Sequence, residues 1–111
     1  MLDRLAGQLE RYMDLLSARQ KLVASNIANV DTPGYQTQDI DFQGELQSTM
    51  ARDPKVVGVQ GLAVKNDGNN VSLDREARLL AENALRFQMA SSLLHSEIGQ
   101  IRSAINEGKT S

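Results

Sequence analysis

From Leu2 onward the apolar residues step by alternating threes and fours, through Leu5, Leu9, Tyr12 and Leu16, and the same stripe continues as Arg19, Val23, Asn26 and Val30. This heptad spacing, with no proline before Pro33, predicts a helix over about 2–30. A cleaner stripe follows later, with Leu73, Ala77, Leu80, Ala84, Phe87, Ser91, Leu94, Ile98, Ile101 and Ile105. It predicts a second helix over about 73–106, with Ser72 as N-cap, Asp74 and Glu76 in the first turn, and Gly108 as a stop. Leu79, Leu85, Met89 and Leu93 flank this seam and widen the apolar face beyond what one partner helix covers.

Between the two stripes, residues 31–72 hold both prolines and five of the eight glycines, and no period is sustained. A β-leaning run (Val56, Val57, Val59, Leu62, Val64), broken by Gly58 and Gly61, predicts one short strand or hairpin. Asn66-Asp67-Gly68-Asn69-Asn70 reads as a turn, because Asn, Asp and Gly tolerate left-handed backbone. The fold class expected is therefore all-α: long N- and C-terminal helices pair as a helical hairpin or coiled coil, joined by a mostly irregular connector. The organisation is 1–30 for the first helix, 31–72 for the turn and connector, and 73–111 for the second helix. Wide seams on two long helices, with little core in the connector, point to a subunit that becomes fully ordered on packing against neighbours.

Charge and composition narrow the function. The 111 residues carry 12 basic and 14 acidic side chains, and the net charge is zero over 1–32, −2 over 33–72 and zero over 73–111. No field is present to attract nucleic acid or anionic lipid. The absence of cysteine and a single histidine exclude a thiolate nucleophile, a disulfide and Cys- or His-rich metal sites. No run approaches the roughly 18 to 20 apolar residues of a membrane span. Met1-Leu2-Asp3-Arg4-Leu5 lacks the basic and apolar regions of a cleavable signal, so none is expected.

Isolated chemical candidates are weak. His95 has Ser91 and Glu97 within helical reach, but a helix surface supplies neither pocket nor oxyanion hole. Asp39 and Asp41 lack a third oxygen ligand at calcium-loop spacing. Gly58-Val59-Gln60-Gly61 has only Lys55 and Lys65 nearby, too few for a nucleic-acid clamp. Asn70-Val71-Ser72 fits a glycosylation sequon of the sort that recurs by chance. No catalytic, cofactor or metal residue is assigned. Arg19 and Asn26 on the first stripe admit two readings: the stripe drifts and both face solvent, or seam polarity fixes register and partner.

The informative segment is Ser25-Asn26-Ile27-Ala28-Asn29-Val30-Asp31-Thr32-Pro33-Gly34-Tyr35. Pro33 ends the helix, and Pro-Gly at the centre of a turn favours type II, with Gly34 supplying positive φ. This string strongly resembles the N-terminal signature of bacterial flagellar basal-body rod and hook proteins. Its continuation through Phe42, with the runs Asp74-Arg75-Glu76 and Asn83-Ala84-Leu85-Arg86-Phe87-Gln88, is most similar to the proximal rod members. Hook and distal-rod relatives carry a larger central domain, for which this chain has no room.

The resemblance implies a structural subunit required for motility and no catalysis. Its terminal helices would self-assemble, with other rod proteins, into the drive-shaft tube between the membrane ring and the distal rod and hook. It implies as neighbours the membrane-supramembrane ring and its FliE-type adaptor, with no nucleic acid and no direct membrane insertion. Location would be the basal-body rod in the cell envelope, reached through the flagellar type III export gate without signal cleavage. By position, Asn26, Ile27, Ala28, Asn29, Thr32, Pro33, Gly34 and Tyr35 match the signature and are expected at a subunit junction. Leu5, Leu9, Leu16, Val23, Leu80, Phe87, Leu94, Ile98, Ile101 and Ile105 are the expected helix seam. Phe42 and Leu46 fit a Phe-x-x-x-apolar export-gate pattern, against which stands the simpler role of covering the hairpin's apolar face. The reading from another class is a small cytoplasmic helical-hairpin adaptor or export chaperone.

Overall fold

The computed structural model describes residues 2–48 and 52–110. Helix α1 (Leu2–Ala28) is followed by strand β1 (Gln38–Ile40), the short helix α2 (Phe42–Gln47), strand β2 (Val56–Gly58) and helix α3 (Leu73–Thr110). The two long helices pack antiparallel into a hairpin, and the molecule measures 72 × 25 × 17 Å.

The element ends follow local chemistry. The last turn of α1 tightens as Asn29 N–H reaches the carbonyls of Ser25 and Asn26, and the Asn29 amide donates to the Ser25 carbonyl at 2.8 Å. Pro33 and Gly34 then form the centre of a turn closed by Tyr35 N–H to the Thr32 carbonyl, with Gly34 at φ +75°. That is the type II geometry expected of Pro-Gly. Ser72 caps α3, its hydroxyl accepting from Arg75 N–H at 3.3 Å. The Asn66–Asn70 turn also forms, with Gly68 at φ +86° and Lys65 and Asn69 paired across it.

The β-leaning run yields the one short strand expected, β2, whose partner is β1, antiparallel with Asp39 opposite Val57. Two features depart from the sequence reading. Helix α2 lies inside the connector, started by Asp41, whose side chain accepts from Gly44 N–H. A Cβ on Gly44 would collide with that carboxylate, so the cap and the glycine depend on each other. Gly108 does not stop α3, which continues to Thr110. Glycine inside a helix costs about 1 kcal/mol and ends it only where another conformation gains contacts, and a Cβ at Gly108 would meet nothing within 4 Å.

The core is small and concentrated at the closed end of the hairpin. Among the described residues its apolar part is Leu15, Leu16, Val23, Ile40, Val71, Leu79 and Ala90. Eight polar or charged residues among those described are equally buried, Asn26, Thr37, Asn69 and Glu76 completely. Buried polar groups that find partners specify one arrangement where greasy contacts would tolerate several.

Candidate functional site

The junction that closes the hairpin is built from side chains 50 residues apart. Asn26, at the end of α1, donates from Nδ2 to Glu76 Oε1 on α3 at 2.5 Å and to the Gln38 carbonyl at 2.9 Å. Its Oδ1 accepts from Gln38 N–H at 3.1 Å and from the Tyr35 hydroxyl at 3.0 Å, and that hydroxyl also lies 3.2 Å from Ser25 Oγ. One amide therefore ties α1, the turn, β1 and α3 together. Asn26 is buried and Arg19 half-buried, so the reading in which both face solvent does not hold.

Arg19 reaches β1 instead. It grips Asp39 in a bidentate pair at 3.0 and 2.9 Å, while Arg75 bridges Asp39 at 2.5 Å and Glu76 at 2.7 Å. Two guanidinium groups and two carboxylates form a nearly enclosed, neutral quartet. Burial pushes the Asp39 carboxyl up, but the Arg19 hydrogen bond, the Ile40 N–H, the Arg19 charge and Arg75 outweigh it and hold the carboxyl below its ordinary 3.8. A depressed folded-state value stabilises the fold above the unfolded value and loses that contribution as pH falls through the folded one. The chain is thus expected to melt progressively lower below about pH 4, and Asp39→Asn to flatten that dependence while lowering the melting temperature at pH 7. Circular dichroism melts from pH 2 to 7 check both.

The connector seals the turn from the other side. Asn69 Nδ2 donates to the Asn29 and Thr32 carbonyls at 2.9 and 2.8 Å, and Asn70 Oδ1 accepts from Thr37 N–H at 2.6 Å. Gly34 N–H donates to the Asp67 carbonyl, and a Cβ on Gly68 would lie 3.4 Å from Gly34 Cα. Signature residues Asn26, Asn29, Thr32, Gly34 and Tyr35 are thereby brought together within the chain. Ile27 is half-buried, and Ala28 and Pro33 are exposed. Glu76, Asn69, Asn70 and Arg75 complete the junction; the sequence placed Glu76 in a first turn, Arg75 in the family-like run and the two asparagines in a turn, but not in these buried contacts, because buried polar pairs follow no apolar period.

The expected seam divides in the single chain. Leu16 and Val23 are buried and Leu9, Leu94 and Ile101 half-buried, whereas Leu5, Leu80, Phe87, Ile98 and Ile105 are exposed. The strip of α3 that meets α1 is instead Glu76, Leu79, Asn83 and Ala90, with Asn83 donating to Gln20 at 3.3 Å. Continuing the Asn26–Glu76 and Gln20–Asn83 register puts Leu2 opposite roughly residue 100, so the last turns of α3 extend past α1.

The remaining candidates take ordinary structural places. Phe42 is half-buried, edge-on to Tyr12 with ring centres 5.5 Å apart and beneath the Arg19 guanidinium, and Leu46 is half-buried on α2. His95 is exposed, with Nδ1 2.9 Å from the Ser91 carbonyl oxygen. Asp39 is held by arginines and Asp41 caps α2. Among the described residues no helix is long and apolar enough to cross a membrane, and no cluster of three or more His, Asp or Glu could hold a metal ion.

Comparison with known proteins places these features. The family model described as flagella basal body rod protein matches residues 13–36, the half of α1 that carries Leu15, Leu16, Val23 and Asn26, together with the turn. The flagellar basal body rod protein FlgB of Salmonella typhimurium strain LT2 is 33% identical over 137 aligned residues, covering 97% of this chain and 99% of its own length. FlgB of Escherichia coli strain K12 matches at the same identity and coverage. FlgB of Borrelia hermsii is 30% identical over 110 residues, 75% of this chain and 82% of its own.

Proposed function

Because the chain belongs to the FlgB family of flagellar basal body rod proteins, we propose that it is a structural subunit of the proximal rod, assembling with itself and other rod proteins. The observation that carries this reading is similarity to rod proteins along nearly the whole chain at both ends of the hairpin. The exposed apolar residues of α3 support it, since a helix whose seam is half uncovered has surface to bury against neighbours.

In this reading residues 1–30 and 73–111 form the rod core and 31–72 the connector. The subunit catalyses nothing and uses no cofactor: its work is to carry torque from the membrane ring to the distal rod and hook. The membrane-supramembrane ring and its FliE-type adaptor lie below it, and export through the flagellar type III gate brings it to the cell envelope. Phe42 and Leu46 serve that gate only while the chain is unfolded, because in the folded chain Phe42 is packed on Tyr12.

The test is structural. Cryo-electron microscopy of purified hook-basal bodies is expected to show this chain's antiparallel helices in the rod next to the membrane ring. Basal bodies that lack the chain, with the protein retained in the cytoplasmic fraction, would replace this reading with the adaptor or chaperone.

A further inference from the structure

Two buried carboxylates tie the connector to α1, each 5% exposed, and they are held very differently. Asp39 on β1 meets guanidinium groups at 3.0, 2.9 and 2.5 Å, with both oxygens satisfied. Glu45 on α2 is held loosely: Oε1 accepts from Arg52 Nη2 at 3.3 Å and from Lys55 N–H at 3.5 Å. Its Oε2 lies 3.6 Å from Arg11 Nη2, and that oxygen, Arg11 Nη2 and Arg11 Nε are buried without a hydrogen-bond partner among the described residues. A buried ion pair repays its desolvation only when its geometry is good and its remaining polar atoms are bonded. The Glu45 cluster meets neither condition.

The rest of the attachment is slight. Helix α2 has six residues, too few to persist alone, and its Asp41 cap accepts at 3.3 Å. Phe42 packs edge-on to Tyr12 and beneath Arg19, whose guanidinium is held by Asp39 independently of α2. Among the described residues no hydrogen bond or ion pair joins α2 to α3. Arg11 and Arg19, one turn to either side of Leu15 on the same face of α1, both touch α2, so the fully buried Leu15 lies beneath it.

We propose that α2 is a strap that lifts briefly off α1 while the hairpin stays closed. Its pivots are Asp41 and Ser48, the latter in extended backbone at φ −67° and ψ 135°. Lifting bares Tyr12 and Leu15 and lengthens the apolar strip of Leu5 and Leu9 to about 15 Å along α1. The quartet around Asp39 and the contacts of Asn26 lie outside the moving part, so the junction is unaffected.

The chain has no cysteine, so a single introduced thiol reports its own exposure. Leu15→Cys places one under α2, and Leu16→Cys places one beside Asn83 and Phe87 of α3 with the same loss of atoms. Under native conditions the Leu15→Cys protein is expected to react with a thiol reagent roughly a hundredfold faster than the Leu16→Cys protein, because a local opening costs less than a global one. Adding Phe42→Ala should accelerate the first further and leave the second unchanged. A Leu15→Cys rate equal to or below that of Leu16→Cys, or equal acceleration of both by Phe42→Ala, overturns the proposal. Should a cysteine variant fail to fold, native-state hydrogen exchange on the unaltered chain decides. The amides of Glu45, Leu46 and Ser48 are expected to exchange ahead of those of Val23 and Asn26, at a rate insensitive to low denaturant. Exchange of all five at one denaturant-dependent rate overturns the strap.

Discussion

Cells whose only copy carries Ile98→Asp and Ile101→Asp are expected to be non-motile and to yield basal bodies lacking the protein, although the purified variant melts within a few degrees of wild type. Ile98 is exposed and Ile101 half-buried, and both sit where α1 runs out. Neither belongs to the buried core, so the isolated chain loses little when they change. In an assembly each isoleucine forfeits about 1.5–3 kcal/mol of burial, and each aspartate must be desolvated without a partner. That loss recurs at every subunit contact along the tube. Ile98→Leu with Ile101→Val keeps the face apolar and should swim. Normal swimming of the double aspartate would overturn the assignment of this face to assembly. Collapse of its melting transition would show that the two residues hold the monomer instead.

The second large effect is expected at Asn26, where four hydrogen bonds meet on one amide. Asn26→Ala leaves Glu76 buried without its shortest donor and frees both polar groups of Gln38, a loss of about 3–5 kcal/mol. For a chain of this size that lowers the melting temperature by roughly 15 °C or more. Asn26→Asp changes almost no volume but sets a carboxylate against Glu76, and should be at least as damaging at pH 7. If Asn26→Asp melts like wild type at pH 7, the amide is not the tie between the helices. Both variants are read by circular dichroism melts, with swimming in soft agar as the cellular counterpart.

Much of the backbone was legible from spacing, because two stripes of period 3.5 and a Pro-Gly dipeptide act through local sterics. The Ser72 cap and the Gly34 turn belong to that class. Strand β1 was not legible: Gln38-Asp39-Ile40 has no apolar alternation, and it is held by Arg19 and by pairing with β2, both distant in sequence. Helix α2 left a faint signal in Asp41 ahead of Phe42, too short to register as a period. The face of α3 that meets α1 was displaced from the strongest apolar stripe because Glu76 and Asn83 find polar partners on α1. Hydrophobic periodicity is blind to such pairs. The signature, by contrast, named the family on sight, and the structure supplies a physical role for its Asn26 and Tyr35: they tie the turn to α3.

The separation of 50 residues between Asn26 and Glu76 also sets the order in which the molecule can fold. A chain delivered N-terminus first presents α1 and its turn long before α3 exists. During that interval Asn26 can already meet Tyr35 and Gln38, and Arg19 can meet Asp39, but the Glu76 carboxylate is still missing. Closing so long a loop is entropically slow, and the reward arrives only when Ser72 has started α3 and Glu76 can meet the waiting amide. The contact between Asn26 and Glu76 is thus completed only once the last third of the chain is available.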